Sequence, residues 1–513
     1  EIERLEMAVD YLVYGIVAAV VGGIALVGCG VFLIQMQHPE DNNVAWLPKL
    51  IVLLGLFLAC GVMLLLPFDA SMSQQCEEDP SCGAGAALGM AWYVAFIAIA
   101  VFVFVLIPLA YFWYETDDDE GVCNRVCTTI CWSLVNLVVF ITILMSLYFS
   151  IGYVELPVTV VQPYSNFEGT NNTYFVTPDT APPIYSDVAS VPTYRAIQKI
   201  QTSMVIYILA LLSFMGWILT TIFGGMGFVA LPMDLFGAWY NRPRPIDLKQ
   251  FAEKKLELKK RCEELIAVGK ETQNKSKGAR GSMKVRRFTN KYKKMVLDLE
   301  DELAVLNLCY KKNEINPLIP WANLFFGIVA GVLSVSWGVQ LILEVFLQGL
   351  VGPYLSDIFQ RLTEVFPLFG VVAYGIFAFY LLAVVVKGSI KFAGRFFLIS
   401  IHPLKINGTM MNSFLFNTGI ILICSVSCTQ LCATAFRQYA HGSAISQLFV
   451  SQIQYLRGLN YFYSVDIPVF YSLLFLVAMV QLIWSITCIF FCQREQATTV
   501  QDAMAELRRE QRA

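Results

Sequence analysis

The sequence predicts an all-α, polytopic membrane protein with nine transmembrane helices and a cytosolic helical hairpin. Three observations predict it. The 513 residues are 57% hydrophobic and only 15% charged, with a mean hydropathy of +0.60, outside the usual soluble range. The apolar residues are clumped into runs of roughly 20 or more, the length a helix needs to cross about 30 Å of hydrocarbon. Finally, 20 of the 36 Lys and Arg residues fall in one polar stretch between Phe236 and Leu318.

The apolar runs lie near 11–36, 46–67, 90–113, 130–154 and 203–231, then near 321–347, 365–386, 413–436 and 467–492. Lipid cannot satisfy exposed backbone groups, and the runs lack the alternation of a barrel strand, so each is expected to be helical. An odd number of spans puts the two termini on opposite sides. With the basic stretch in the cytosol, 30 Lys and Arg fall inside and six outside, so the N-terminus is expected outside or in a lumen and the C-terminus in the cytosol. The expected organisation is then residues 1–235 for spans one to five with outer loops 68–89 and 155–202, 236–318 for the hairpin, 319–492 for spans six to nine, and 493–513 for a cytosolic tail. The expected membrane is the plasma membrane or an endolysosomal one.

Cysteine usage follows the same topology. Cys76 and Cys82 bracket an acidic outer loop with a turn-forming Pro80, where an oxidising compartment favours a disulfide. Cys123, Cys127 and Cys131, and again Cys424, Cys428 and Cys432, recur every four residues and so share a helix face, as small packing residues do. Cys123, Cys127, Cys488 and Cys492 fall near the cytosolic face, where palmitoylation is the alternative. His38, His402 and His441 are scattered, so no metal site is expected, and no cofactor motif occurs.

The outer loop 155–202 is rich in Pro, Thr, Tyr and Asn and reads as a cap with little hydrophobic periodicity. Its triplet Asn171-Asn172-Thr173 makes Asn171 the expected glycosylation site. In the cytosolic stretch, Pro243 and Pro245 stiffen the exit from the membrane and Asp247 is placed to cap a helix. Leu248, Phe251, Leu258, Cys262 and Leu265 follow a three-four spacing, and Tyr292, Val296, Leu299, Leu303, Leu306 and Tyr310 repeat it. Two such helices around a Gly/Ser/Lys-rich link suggest an antiparallel hairpin. Its 20 basic and 11 acidic residues leave a charge of +9, which suits cytosolic proteins or anionic lipid headgroups as partners through 246–312, against the simpler account of a solvated hairpin.

No nucleotide, zinc-protease, serine-hydrolase or dinucleotide fingerprint is present, so no enzyme class is indicated. Nucleic acid is not an expected partner. Intramembrane charge is sparse: Asp69, Glu115, Glu155 and Asp234 fall at expected helix ends, within reach of headgroup water, and Glu344 lies within a span with Gln340 one turn earlier. Glu344, Gln340, Gln430 and Gln481 are the candidates for lining a polar cavity. Leu-Pro-x-Asp occurs twice, with Pro67 and Asp69 closing the second span and Pro232 and Asp234 closing the fifth, an arrangement an inverted repeat would give. Gly327 and Gly331 form a G-x-x-x-G, expected to pack within the bundle, with a homodimer face as the alternative.

Ile107-Pro-Leu-Ala-Tyr-Phe-Trp-Tyr-Glu115, the Leu-Pro-x-Asp at 66–69, and above all Lys387-Gly-Ser-Ile-Lys-Phe-Ala-Gly-Arg-Phe-Phe397 followed by His402 to Asn417 resemble the limb-region (LMBR/LIMR) membrane proteins. That group includes a lipocalin-interacting membrane receptor and a lysosomal cobalamin-export protein. The resemblance implies nine helices, an outer N-terminus and a large cytosolic loop between the fifth and sixth spans, with no enzymatic activity. It supplies no ligand-contact residues. For 402–417 the expected role is structural, with Asn412 and Ser413 capping the eighth span. The expected function is a membrane receptor or scaffold, with membrane lipids and an extracellular or lumenal protein or small molecule among its partners. The alternative is a transporter or channel for a small molecule, ion or lipid.

Overall fold

The computed structural model describes residues 2–38, 41, 46–78, 84–116, 122–161, 193–240, 242, 246–276, parts of 295–310, 318–347, 354–392, 394–396, 399–401, 404, 408–453, 456, 457, 459, 462 and 469–487. Cys82, Asn171, the link of the basic hairpin and the tail after 487 lie outside them, and with them the expected disulfide partner and glycan site.

Among the described residues, nine helices are long and apolar enough to cross a membrane. The chain is thus an all-α, multi-pass membrane protein. Helix α1 is Ile2–Met36, α2 is Trp46–Glu78, and α3 (Ala84–Val101) runs through a π-turn at Phe102–Leu106 into α4 (Ile107–Glu115) as one span. Helices α5 (Val122–Ile151) and α6 (Met204–Tyr240) follow, then the polar α7 (Leu248–Ser276). The sixth span is α8 (Leu318–Leu341) with a π-turn at Ile342–Phe346; a short amphipathic α9 (Tyr354–Val365) leads into α10 (Pro367–Lys391), and α11 (Met411–Ala435) is the eighth span. A short helix, α12 (Ala444–Ser446), continues as a π-turn at Gln447–Ile453, and α13 (Val469–Thr487) is the ninth span.

Two helices correct the expected span ends. Helix α2 passes through Pro67 to Glu78, and α6 passes through Pro232 to Tyr240, so neither proline closes its helix. Proline removes one backbone donor, which ends a helix most readily where water competes for the freed carbonyl; packed among neighbouring helices the loss is tolerated. Pro67 packs beside Gly375 of α10, where an added Cβ would lie in ordinary contact with the proline Cγ at 3.5 Å.

Parts of the loop expected at 155–202 are strand rather than irregular chain. Strands β1 (Tyr153–Val161) and β2 (Thr193–Gln201) form an antiparallel ribbon in which Tyr153 faces Gln201 and Val161 faces Thr193. Val154, Leu156, Val158 and Val160 carry the period of two that favours a strand. A second ribbon pairs β3 (Gly394–Phe396) with β4 (Ile399–Ile401).

The chain divides into two compact units, residues 1–223 with 339–474, and 224–338 with 475–513. The first is organised around α11. Its most apolar window is 89% buried, against 6% for α5, whose sides carry exposed Val135, Val138 and Ile143. Close approach is possible because α11 is rich in Ser, Thr, Cys and Ala, and because glycines face it. A Cβ on Gly55 of α2 would lie 2.8 Å from Thr418, and one on Gly216 of α6 would lie 2.5 Å from the Ile423 carbonyl oxygen. Gly388 of α10 meets the Phe223 carbonyl so closely that any side chain there would collide. Cys424, Cys428 and Cys432 sit fully buried on this helix as packing residues.

In the second unit, Gly327 of α8 packs against Leu235 and Phe236, and Ser334 donates to the Phe228 carbonyl at 2.7 Å. Gly331 has open space, so only one glycine of the G-x-x-x-G makes a close contact within the described residues. Asp247 starts α7: its carbonyl accepts from Phe251 N and its side chain from Leu248 N at 2.8 Å. Ile246 N bonds the Cys309 carbonyl, Phe251 stacks on Tyr310 at 4.3 Å and Arg261 reaches Glu302 at 3.5 Å, contacts that run antiparallel along the two segments.

Two buried carboxylates and a polar seam

The candidate site is a set of polar side chains in the first unit, placed at both ends of α2 and along α11. Asp69 lies in α2, two residues past Pro67. It was expected at a hydrated helix end, yet it is 1% exposed. Its Oδ2 accepts from Trp92 Nε1 of α3 at 2.8 Å and from Ile445 N at 2.9 Å, while Oδ1 accepts from Ala444 N at 3.1 Å. The carboxylate therefore ties two membrane helices to the start of α12. A negative group suits this place because the first amides of a helix have no partner of their own and carry partial positive charge. Ser443 completes the cap by accepting from Ser446 N at 3.3 Å, and Gly442 turns the chain into it with φ of +75°.

Asp41 does the corresponding work before the start of α2. It is 5% exposed; Oδ1 accepts from Tyr114 of α4 at 2.9 Å and Oδ2 from Met411 N, the first amide of α11, at 3.1 Å. Lys49 of α2 folds back to donate to the Asp41 carbonyl. This corrects the expected cap of the eighth span. Asn412 accepts from its neighbour Ser413 N at 2.6 Å, whereas the helix start is held by a carboxylate 370 residues earlier in the chain. Gln37 and Thr409 pair beside it, with His38 N bonding the Thr409 carbonyl and Thr409 N the Met36 carbonyl.

Between these ends runs the seam. Gln430 Oε1 accepts from Trp217 Nε1 at 2.8 Å and from Ser213, both of α6. One turn earlier Ser427 and Thr220 share a bond of 2.6 Å, and one turn later Thr434 bonds Tyr471 of α13 at 3.0 Å. Gln340 of α8 donates to the Ala435 carbonyl at 2.7 Å and accepts from Leu355 N of α9 at 3.0 Å. It therefore satisfies the last turn of α11 and the first turn of α9 together.

The four candidates for lining a cavity thus divide. Gln340 and Gln430 are buried and bonded across helices. Glu344 is half-buried in the π-turn, within electrostatic range of Arg437. Gln481 belongs to the second unit and bonds Ser485 one turn along its own helix at 3.3 Å. Asp234, the counterpart of Asp69 in the second Leu-Pro-x-Asp, is half-exposed in the second unit. Glu115 is exposed at the end of α4. Sequence reasoning did not single out Asp41, Trp92, Trp217 or Tyr114; a charged residue at a span boundary followed by an aromatic-rich span was the available signal.

The end of the first unit that holds Asp69 also holds the β1–β2 ribbon. Arg457 N bonds the Tyr153 carbonyl at 3.1 Å, Val154 bridges to Leu456, and Tyr148 donates to the Thr202 carbonyl at 2.7 Å. Lys199 and Arg457 each place their charge 5.1 Å from the centre of the Tyr153 ring.

Comparison with known proteins agrees with this architecture. The model of the LMBR1-like membrane protein family matches residues 14–320. An LIMR family protein of Oryza sativa subsp. japonica is 34% identical over 470 residues, covering 88% of this chain and 92% of the relative. Another, from Dictyostelium discoideum, is 31% identical over 494 residues, 90% and 96% of the two chains. One from Arabidopsis thaliana is 33% identical over 470 residues, 88% and 92%. No solved structure matches. With the family model covering more than half the chain, and with relatives aligned over nearly their whole length, this protein belongs to the LMBR1-like (LIMR) family of membrane proteins.

Proposed function

We propose that the protein is a non-enzymatic membrane receptor or scaffold, with its N-terminus outside or lumenal, its C-terminus cytosolic, and residence in the plasma membrane or an endolysosomal membrane. The observation that carries this is the use made of buried polar groups. Asp41, Gln340 and Gln430 hold the buried α11 at its start, at its end and along its length, and Asp69 ties α2 and α3 to the start of α12. Such bonds fix a frame, whereas a conduit needs polar groups left to face water or solute. The ribbon and the segment around Arg457, fixed on that frame, form the face for an extracellular or lumenal ligand. The basic segment 246–312 engages cytosolic trafficking or signalling proteins or anionic headgroups, consistent with the excess of positive charge there.

Glu344 favours a second function, transport, because it is an ionisable group at the end of a span with Arg437 and Tyr471 in electrostatic range. One pair of experiments separates the two. Excision of 246–312 from the full chain in cells, followed by proximity labelling, is expected to remove the cytosolic partners while the protein still reaches its membrane. An unchanged partner set, together with solute flux in liposomes that Glu344→Gln abolishes, would overturn the receptor or scaffold assignment in favour of transport.

A further inference from the structure

A groove of about 420 Å³ opens in the first unit between α1, α2, α10 and α11, lined among others by Val21, Gly28 and Cys29 of α1, Cys60 of α2, and Phe379 and Val386 of α10. We propose that it is a binding site for one acyl chain of a membrane phospholipid. This goes beyond the receptor or scaffold assignment and does not depend on it.

Depth is the first argument. The α1 lining lies inside the span Gly15–Met36, the α2 lining near the middle of Trp46–Ser73, and the α10 lining inside Pro367–Lys391. At that level the surrounding medium is hydrocarbon, so what enters an open groove is a lipid chain. The lining is the second. Leu56, Ala59, Leu382 and Ile421 complete an apolar wall in which the only heteroatoms of side chains are the two thiols, whose Sγ atoms lie 3.9 Å apart. A headgroup, a sugar or a polar cofactor would lose its hydrogen bonds there, while a methylene chain loses none. The size falls in the range of about 300–1,000 Å³ typical of ligand sites.

The third argument is why the groove exists. Where Cys29 meets Cys60 and Phe32 meets Phe414 edge-on at 6.0 Å, α1 packs closely on its neighbours. Beside those contacts the α1 wall of the groove includes Gly28, where an added Cβ would meet nothing within 4 Å. In a protein interior this would be a costly void. In a bilayer an acyl chain fills it, and with no hydrophobic drive in lipid its retention comes from dispersion contacts with the walls. Helix α5 offers a contrast on the same protein, a span exposed along its length with side chains rather than glycines facing outward.

The test uses the full chain in nanodiscs of phosphatidylcholine carrying a diazirine halfway along one acyl chain. After illumination, peptide mass spectrometry locates the adducts. Adducts several-fold denser on 21–32, 56–60 and 379–386 than on 126–151 are expected in the unaltered protein. Gly28→Phe fills the groove from a position with room for a side chain, and should lower the groove adducts several-fold while leaving those on 126–151 unchanged. Groove adducts no denser than those on 126–151 in the unaltered protein would overturn the proposal, whether or not the variant folds. So would a folded Gly28→Phe protein whose groove adducts are undiminished.

Discussion

Asp41, just before α2, and Asp69, in the last third of α2, perform the same task with different chemistry. Each is buried, and each accepts from the opening amide of a helix far away in sequence and from an aromatic donor on the third span, Tyr114 in one case and Trp92 in the other. At the Asp41 end a cation also folds in, Lys49 donating to the Asp41 carbonyl. At the Asp69 end the carboxylate is held by three N–H donors, two from the α12 start and one from Trp92. The difference shows what each end anchors. Asp41 fastens the start of α11, a long helix already buried by its neighbours. Asp69 fastens α12, a much shorter helix, and accepts from three N–H donors against the two donors on the Asp41 carboxylate, so the start of α12 rests more on its carboxylate.

Substitutions can break this comparison, and the largest effect is expected at Asp69. Asp69→Ala leaves three buried N–H groups without an acceptor. Single unsatisfied donors cost about 1–3 kcal/mol, and interhelical bonds in membranes average nearer 0.6, so a loss of about 3 kcal/mol is expected, read as the shift in unfolding by denaturing detergent. Asp41→Ala removes acceptors from two donors and should cost about 2 kcal/mol by the same measurement. If the two variants were equal, or reversed, the ranking of the ends would be wrong. Gln340→Leu, which strands the Ala435 carbonyl and Leu355 N at once, should cost about 1.5 kcal/mol. The smallest effect is expected for Trp92→Phe, about 1 kcal/mol, because Asp69 keeps both α12 amides and loses only the indole donor.

Much of the frame was legible in the sequence, and the reason is specific to lipid. A helix crossing hydrocarbon must satisfy its own backbone and show apolar side chains, so runs such as 46–67 and 413–436 are visible without knowing their neighbours. The ends were less legible. Pro67 and Pro232 read as stops because their cost in water is large, and the structure carries both helices onward where packing removes the competitor. The candidate site was half legible. Asp69 drew attention as a charge at a span end, but burial and partners depend on residues 23 and 376 positions away, which local pattern does not encode. Asp41 stands in a polar stretch of the sequence with Asn42 and Asn43, where one acidic residue looks like any other. Gln340 and Gln430 were found as polar residues in apolar spans. Their use as links between helices became visible only with the helices in place.

Hydrogen exchange in nanodiscs, resolved to single amides, tests the central claim that buried carboxylates hold remote helix starts. In the unaltered protein Ala444, Ile445 and Met411 should all be protected. Asp69→Ala should release Ala444 and Ile445 and leave Met411 slow, while Asp41→Ala should release Met411 alone. Protection at all three amides that survives both substitutions would contradict the account.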